Sequence, residues 1–197
     1  LDIYEEQDQI ELTYQGLYDI TEQVISAKAL TFNNDGTKMY VGGRSGNAVF
    51  QYSLATPFSI SNNVTYDNVF MPIFGVLGVQ FLTDILFNDD GSAIYIVSSG
   101  TGKMYQYSLS IPFDLSTASF YAEFEVNTHA SNVRSCRFND DGSKLFVLGF
   151  SSDKIYQYNL TTPFDLSSNI SLTSESSVVS DIDTIPYKKN LIHYETN

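Results

Sequence analysis

The sequence has no tryptophan, one cysteine, two histidines and five prolines in 197 residues, and its 10 Lys and Arg face 23 Asp and Glu. A single Cys136 rules out an internal disulfide framework and reads as a small buried hydrophobe. The formal net charge of −13 repels a phosphate backbone, so no nucleic-acid partner is expected. No apolar run approaches the ~20 residues of a membrane-spanning helix, so no membrane insertion is expected. No Gly-rich phosphate loop opens a helix, and no Ser or Cys sits in a nucleophile elbow.

What the chain does have is aromatic residues: 14 Tyr and 14 Phe, within a 43% hydrophobic composition. Side chains of this kind pack on pleated, buried surfaces, so strands and a real core are expected.

Laid against itself, the chain shows three copies of one unit. Phe32, Phe87 and Phe138 are separated by 55 and 51 residues, and the same intervals relate Tyr52, Tyr107 and Tyr158, and Pro57, Pro112 and Pro163. Between 87–116 and 138–167, 16 of 30 positions are identical. Each copy reads as four strands. An Asn-Asp-Gly turn (Asp35-Gly36, Asp90-Gly91, Asp141-Gly142) closes the first hairpin, with the Asx side chain bonding its own backbone and the Gly taking positive φ. The return strands are 93–97 and 144–148. After a second polar turn come 104–109 and 155–160, then a Pro-Phe element stops the strand, and 119–126 forms a fourth.

Apolar residues on both faces of these strands call for sheets covered on both sides. The expected fold is therefore all-β: a small β-propeller of four-stranded antiparallel blades, a single domain over 1–197 with repeats at about 26–74, 80–126 and 131–177. A fourth blade is expected from the two termini, 1–20 and 178–197, with residues 10–20 as its outer strand. Leu1-Asp2-Ile3 resembles the Phe-Asp-Leu that follows the third strand elsewhere, which suggests a C-terminal piece of a longer chain. Phe58, Phe113 and Phe164 are expected to be buried anchors between blades.

The run 34–41, Asn-Asp-Gly-Thr-Lys-Met-Tyr-Val, resembles the hairpins of YVTN-type bacterial propellers, lactonase-like ones included. The added Tyr-Gln-Tyr-Ser-Leu and Pro-Phe-Asp-Leu-Ser runs resemble a tandem repeat of phage structural proteins and bacterial surface proteins. The resemblance implies a propeller and carries over no catalytic residue, because propellers host binding, scaffolding and catalysis alike.

Four residues before each first-strand Phe, or before Ile185, stand Lys28, Thr83, Arg134 and Asp181, a mixed ring with Asp84 and Asp183 as neighbours. His129 and His193 fall at unrelated repeat positions, and the paired Asp turns offer too few ligands for calcium. No catalytic residue, cofactor or metal is expected. The hairpin turns and Asp114 and Asp165 should form one acidic face. The variable connections, with Lys28, Arg44, Lys103, Arg134, Lys154 and Asp181, should form the opposite, mixed-charge face and contact a protein or glycan. The function expected is that of a non-enzymatic structural or binding module of an extracellular particle or surface, such as a phage tail or fibre, where the partners would be other virion or surface subunits. The alternative is a lactonase-like hydrolase.

Overall fold

A computed structural model describes residues 13–43, 48–72, 81–126, 128–130 and 132–177. Among the described residues, twelve strands fall into three antiparallel sheets of four, each a run of consecutive strands in meander order. Blade 1 is β1 (Ala27–Phe32), β2 (Lys38–Gly43), β3 (Ala48–Leu54) and β4 (Val64–Pro72). Blade 2 is β5 (Leu82–Phe87), β6 (Ala93–Ser98), β7 (Lys103–Leu109) and β8 (Ala118–Glu125). Blade 3 is β9 (Val133–Phe138), β10 (Lys144–Gly149), β11 (Lys154–Leu160) and β12 (Ile170–Ser177). The first strands β1, β5 and β9 touch in succession, so they line the axis and the blades fan outward from it. The propeller architecture is thus the one the repeat predicts.

The turn chemistry works as its residues dictate. Asp35, Asp90 and Asp141 each accept the N–H of the residue two further on, at 2.8–2.9 Å. Asn33, Asn88 and Asn139 each accept the N–H that opens the return strand, at 2.8 Å. Gly36, Gly91 and Gly142 take φ near +70°.

Each blade is fastened to the next by a repeated contact. The hydroxyl of Tyr40 donates to the Phe113 carbonyl, and Gln51 Oε1 accepts the Leu115 N–H at 2.9 Å. One step on, Tyr95 donates to the Phe164 carbonyl and Gln106 Oε1 accepts the Leu166 N–H at 2.8 Å. The middle Gln of Phe50-Gln51-Tyr52 and of Tyr105-Gln106-Tyr107 therefore reads the backbone of the following blade's Pro-Phe element, while cores of buried Tyr, Ile, Val and Met fill the space between sheets.

Two expectations are corrected here. The phenylalanines are not buried anchors: Phe58 is 60% exposed, and Phe113 and Phe164 are half-buried. All three adopt positive φ, which sets their rings over Gly36, Gly91 and Gly142 in their own blade, and the carbonyls of Phe113 and Phe164 accept a hydrogen bond from the preceding blade. Residues 13–20, expected within a strand, form none. Their contacts nevertheless repeat those of an outer strand. Tyr18 meets Tyr52 edge-on at 5.9 Å, as Phe124 meets Tyr158 at 5.2 Å. The Ile20 carbonyl accepts the N–H of Gln23 and Val24, as that of Val126 accepts His129 and Ala130. The rest of the segments expected to build a fourth blade, 1–12 and 178–197, lies outside the described residues.

Candidate functional site

At one end of the axis the three innermost strands begin in the same irregular way. Ser26, Phe81 and Asn132, each directly before its strand, hold φ of +58°, +58° and +55°. Two residues later the ladder slips: the register jumps over Lys28 in β1, over Thr83 in β5 and over Arg134 in β9. Each is the extra residue of a β-bulge, a device that re-aims a side chain at barrel rims and active sites. Left-handed residues without glycine are costly and concentrate where the surroundings hold them. The sequence column Lys28, Thr83, Arg134 is thus a structural column, and its fourth member, Asp181, lies outside the described residues.

The bulges bound a polar cleft of about 270 Å³ lined by Lys28, Phe81, Leu82, Thr83, Ser99, Asn132 and Arg134. Lys28 and Arg134 are exposed, and the Arg134 guanidinium lies over the Phe150 ring at 4.6 Å from its centroid, which fixes the cation's place. The Thr83 hydroxyl bridges blades by donating to the Val133 carbonyl at 3.3 Å. Ser99 Oγ donates to the Phe81 carbonyl at 3.3 Å.

Asp84, next to Thr83, does not face the cleft. It is buried, and its Oδ2 accepts Ser135 Oγ at 2.7 Å, the Cys136 N–H at 3.2 Å and Arg137 Nη1 at 2.6 Å. That saturated carboxylate ties blade 2 to blade 3 and is no general base. Cys136 is buried as expected, and burial pushes its thiol pKa up. His129 meets Tyr158 away from the axis, with Nδ1 3.3 Å from the phenol oxygen.

Of the other expected contact residues, Lys103 and Lys154 open third strands at this same end, away from the cleft lining. Lys103 is paired with Glu123. Arg44 lies outside the described residues. The acidic hairpins, with Asp114 and Asp165, occupy the opposite end, as the alternation of connections requires. Sequence reading missed Ser99 and Asn132, whose participation follows from the turn and the bulge. A second, apolar groove of about 520 Å³ lies between Tyr18, Ile20 and the outer face of blade 1.

No family model and no curated protein matches the chain. Solved propellers do. A 6-phosphogluconolactonase candidate from Bacteroides uniformis superposes with a TM-score of 0.56 at 13% identity, over 77% of this chain and 41% of that one. Another from Bacteroides fragilis gives 0.58 at 15%, over 77% and 39%. The periplasmic gluconolactonase of Pseudomonas aeruginosa gives 0.56 at 16%, over 78% and 41%. The chain spans about two fifths of the length of these propellers. At such identities the likeness is one of fold. It does correct the main functional expectation: these three matches bear lactonase names, which favours the lactonase-like alternative over a non-enzymatic module of a phage or surface particle.

Proposed function

We propose that this chain belongs to a lactonase-like propeller that binds and opens sugar lactones in the axial cleft. The observation that supports the reading is the triple bulge, which turns Lys28, Thr83 and Arg134 toward one polar pocket at the axis. A pocket of about 270 Å³, just under the ~300 Å³ lower bound for drug-sized ligands, suits a monosaccharide. Hydroxyl and amide groups of Thr83, Ser99 and Asn132 complement sugar hydroxyls.

Hydrolysis needs water to add to the lactone carbonyl carbon, whose oxygen becomes an oxyanion. The ring C–O bond then breaks, the ring oxygen takes up a proton, and a hydroxy acid is released. No carboxylate among the described residues lines the cleft, so the part played by this chain is electrostatic: Lys28 and Arg134 lie where they can stabilise the oxyanion and then the product carboxylate. Glucono-1,5-lactone and its 6-phosphate, followed by acid release in weak buffer, test the reading. Arg134→Ala is expected to reduce kcat/KM by about 10²-fold, the usual loss for one such donor. A wild-type rate equal to the buffer blank with both lactones overturns it.

A further inference from the structure

Arg134 and Arg137 stand on the same strand, β9, and are held in opposite ways. Arg137 is pinned by the Asp84 carboxylate, with Nη1 2.6 Å from Oδ2. Lys38 and Lys103 are likewise held by Asp67 and Glu123. Each of these cations has its place fixed and its charge neutralised at once. Arg134 has no carboxylate partner among the described residues, in a chain that carries 23 Asp and Glu. Its guanidinium lies over the Phe150 ring instead, 4.6 Å from the centroid. An aromatic face attracts a guanidinium through its quadrupole and carries no net charge, so it fixes the cation and leaves the positive charge for a ligand.

The ring is itself fixed at its root. Phe150 follows directly on β10, beside the bulge of β9, and its N–H donates to the Asn132 carbonyl at 3.2 Å. In blade 2 the same repeat position is Ser99, whose N–H donates to the Phe81 carbonyl at 3.1 Å. A small polar residue therefore satisfies that backbone contact, and the fold does not call for an aromatic. Nor does the ring fill a core, since Phe150 is 59% exposed and is not part of the cleft lining. Blade 2 pairs Thr83 with Ser99, whereas blade 3 pairs Arg134 with Phe150, so the aromatic comes with the cation it holds. Lys28, the other cation of the column, has neither an ion pair nor a ring contact among the described residues. Its exposed side chain keeps its rotamer freedom.

We propose that Phe150 is a positioning residue: it presents the un-neutralised Arg134 guanidinium to the cleft in one geometry, and so makes Arg134, not Lys28, the main group that stabilises the oxyanion. The identity of that anionic oxygen rests on the lactone reading above; the placement of the cation does not. Charge that develops during a reaction is stabilised best by a donor already aimed at it, because a side chain that must first be ordered loses part of the gain. Lys28, free to swing, serves instead to draw in and hold the ligand.

Phe150→Leu keeps an apolar side chain and removes the ring face, whereas Phe150→Tyr keeps the face. A cation–π contact at an exposed site corresponds to about two- to fivefold in an equilibrium, so Phe150→Leu should lower kcat for glucono-1,5-lactone by about that factor, with KM and the thermal midpoint unchanged. Phe150→Tyr should restore the wild-type value. In an Arg134→Ala background Phe150→Leu should have no further effect, since the ring then has nothing to place. Lys28→Met should raise KM more than it lowers kcat. Placement is read without turnover from the NMR shifts of the Arg134 δ-protons, which the ring current should move upfield in the wild type and in Phe150→Tyr but not in Phe150→Leu. Unshifted δ-protons in the wild type, an unchanged kcat in folded Phe150→Leu, a loss that persists without Arg134, or equal losses of kcat in Lys28→Met and Arg134→Ala overturn the proposal. A wild-type chain that opens neither lactone but shows the shift refutes the lactone reading alone and upholds the placement of Arg134 by Phe150.

Discussion

Removing the hydroxyl from Tyr40 and from Tyr95 should not cost the same, although the two occupy one repeat position and both are fully buried. A phenylalanine ring fits there, since Phe146 stands at that position in blade 3. The substitutions therefore isolate one hydrogen bond. Tyr40 is the side chain that reaches the Phe113 carbonyl, because Gln51 turns its Nε2 to Asp67 at 2.9 Å. The Phe164 carbonyl has a second donor in Gln106 Nε2 at 3.1 Å, which remains when Tyr95 loses its hydroxyl. A net hydrogen bond contributes about 0.5–1.5 kcal/mol, and a partner left unsatisfied costs about 1–3 kcal/mol. Tyr40→Phe should thus destabilise by about 2 kcal/mol and Tyr95→Phe by about 1 kcal/mol. Urea unfolding followed by far-UV circular dichroism measures both in this tryptophan-free chain. Equal losses, or a larger loss at Tyr95, would refute the account of how the blades are fastened.

Gly91→Ala should destabilise by about 2–4 kcal/mol, because the residue holds φ of +72° and a Cβ would stand 2.3 Å from the Phe113 ring; a loss under about 1 kcal/mol in the same assay counts against that packing. Tyr52→Phe should leave stability unchanged or raised, since its buried hydroxyl has no partner among the described residues; a marked fall in midpoint would show a donor–acceptor pair there. Hydrogen bonds from Thr37, Ser92 and Ser143 lower the pKa of Asp35, Asp90 and Asp141 below the usual carboxylate value. A lowered folded pKa gives stability that is present above about pH 4 and lost as pH falls through the folded value, so the thermal midpoint should drop in acid, and Asp90→Asn should flatten that slope. In alkali the sign reverses for tyrosine: burial pushes Tyr52 and Tyr158 up to about 12, so stability should fall as pH rises beyond about 10, where the unfolded chain ionises first.

The strands were legible because the repeat places its turn residues at fixed intervals, and Asn-Asp-Gly carries its own hydrogen-bonding instructions. The column Lys28, Thr83, Arg134 was legible as a break in an otherwise regular pattern. That it is a bulge was not, since the extra residue shows only when a partner strand is counted against it. The phenylalanines misled for a related reason. Nothing in Pro-Phe-Asp-Leu-Ser announces positive φ at a bulky residue, and burial at Phe58 depends on a neighbouring blade that its own segment cannot specify. Asp84 reads in the sequence only as a neighbour of the ring; the crossing of blades reveals three donors on one carboxylate oxygen.

The bulge has an evolutionary consequence. Along a regular strand, neighbouring side chains alternate between faces, and a change at one position alters the packing of the sheet that carries it. The extra residue of each innermost strand stands outside that alternation: Thr83 looks into the cleft while Asp84, one codon on, holds two blades together. Mutations at the exposed positions 28 and 134 can therefore accumulate without passing through unstable intermediates, while Thr83 stays tied to the Val133 carbonyl, so two of the three lining positions are free to diverge faster than the blades that support them.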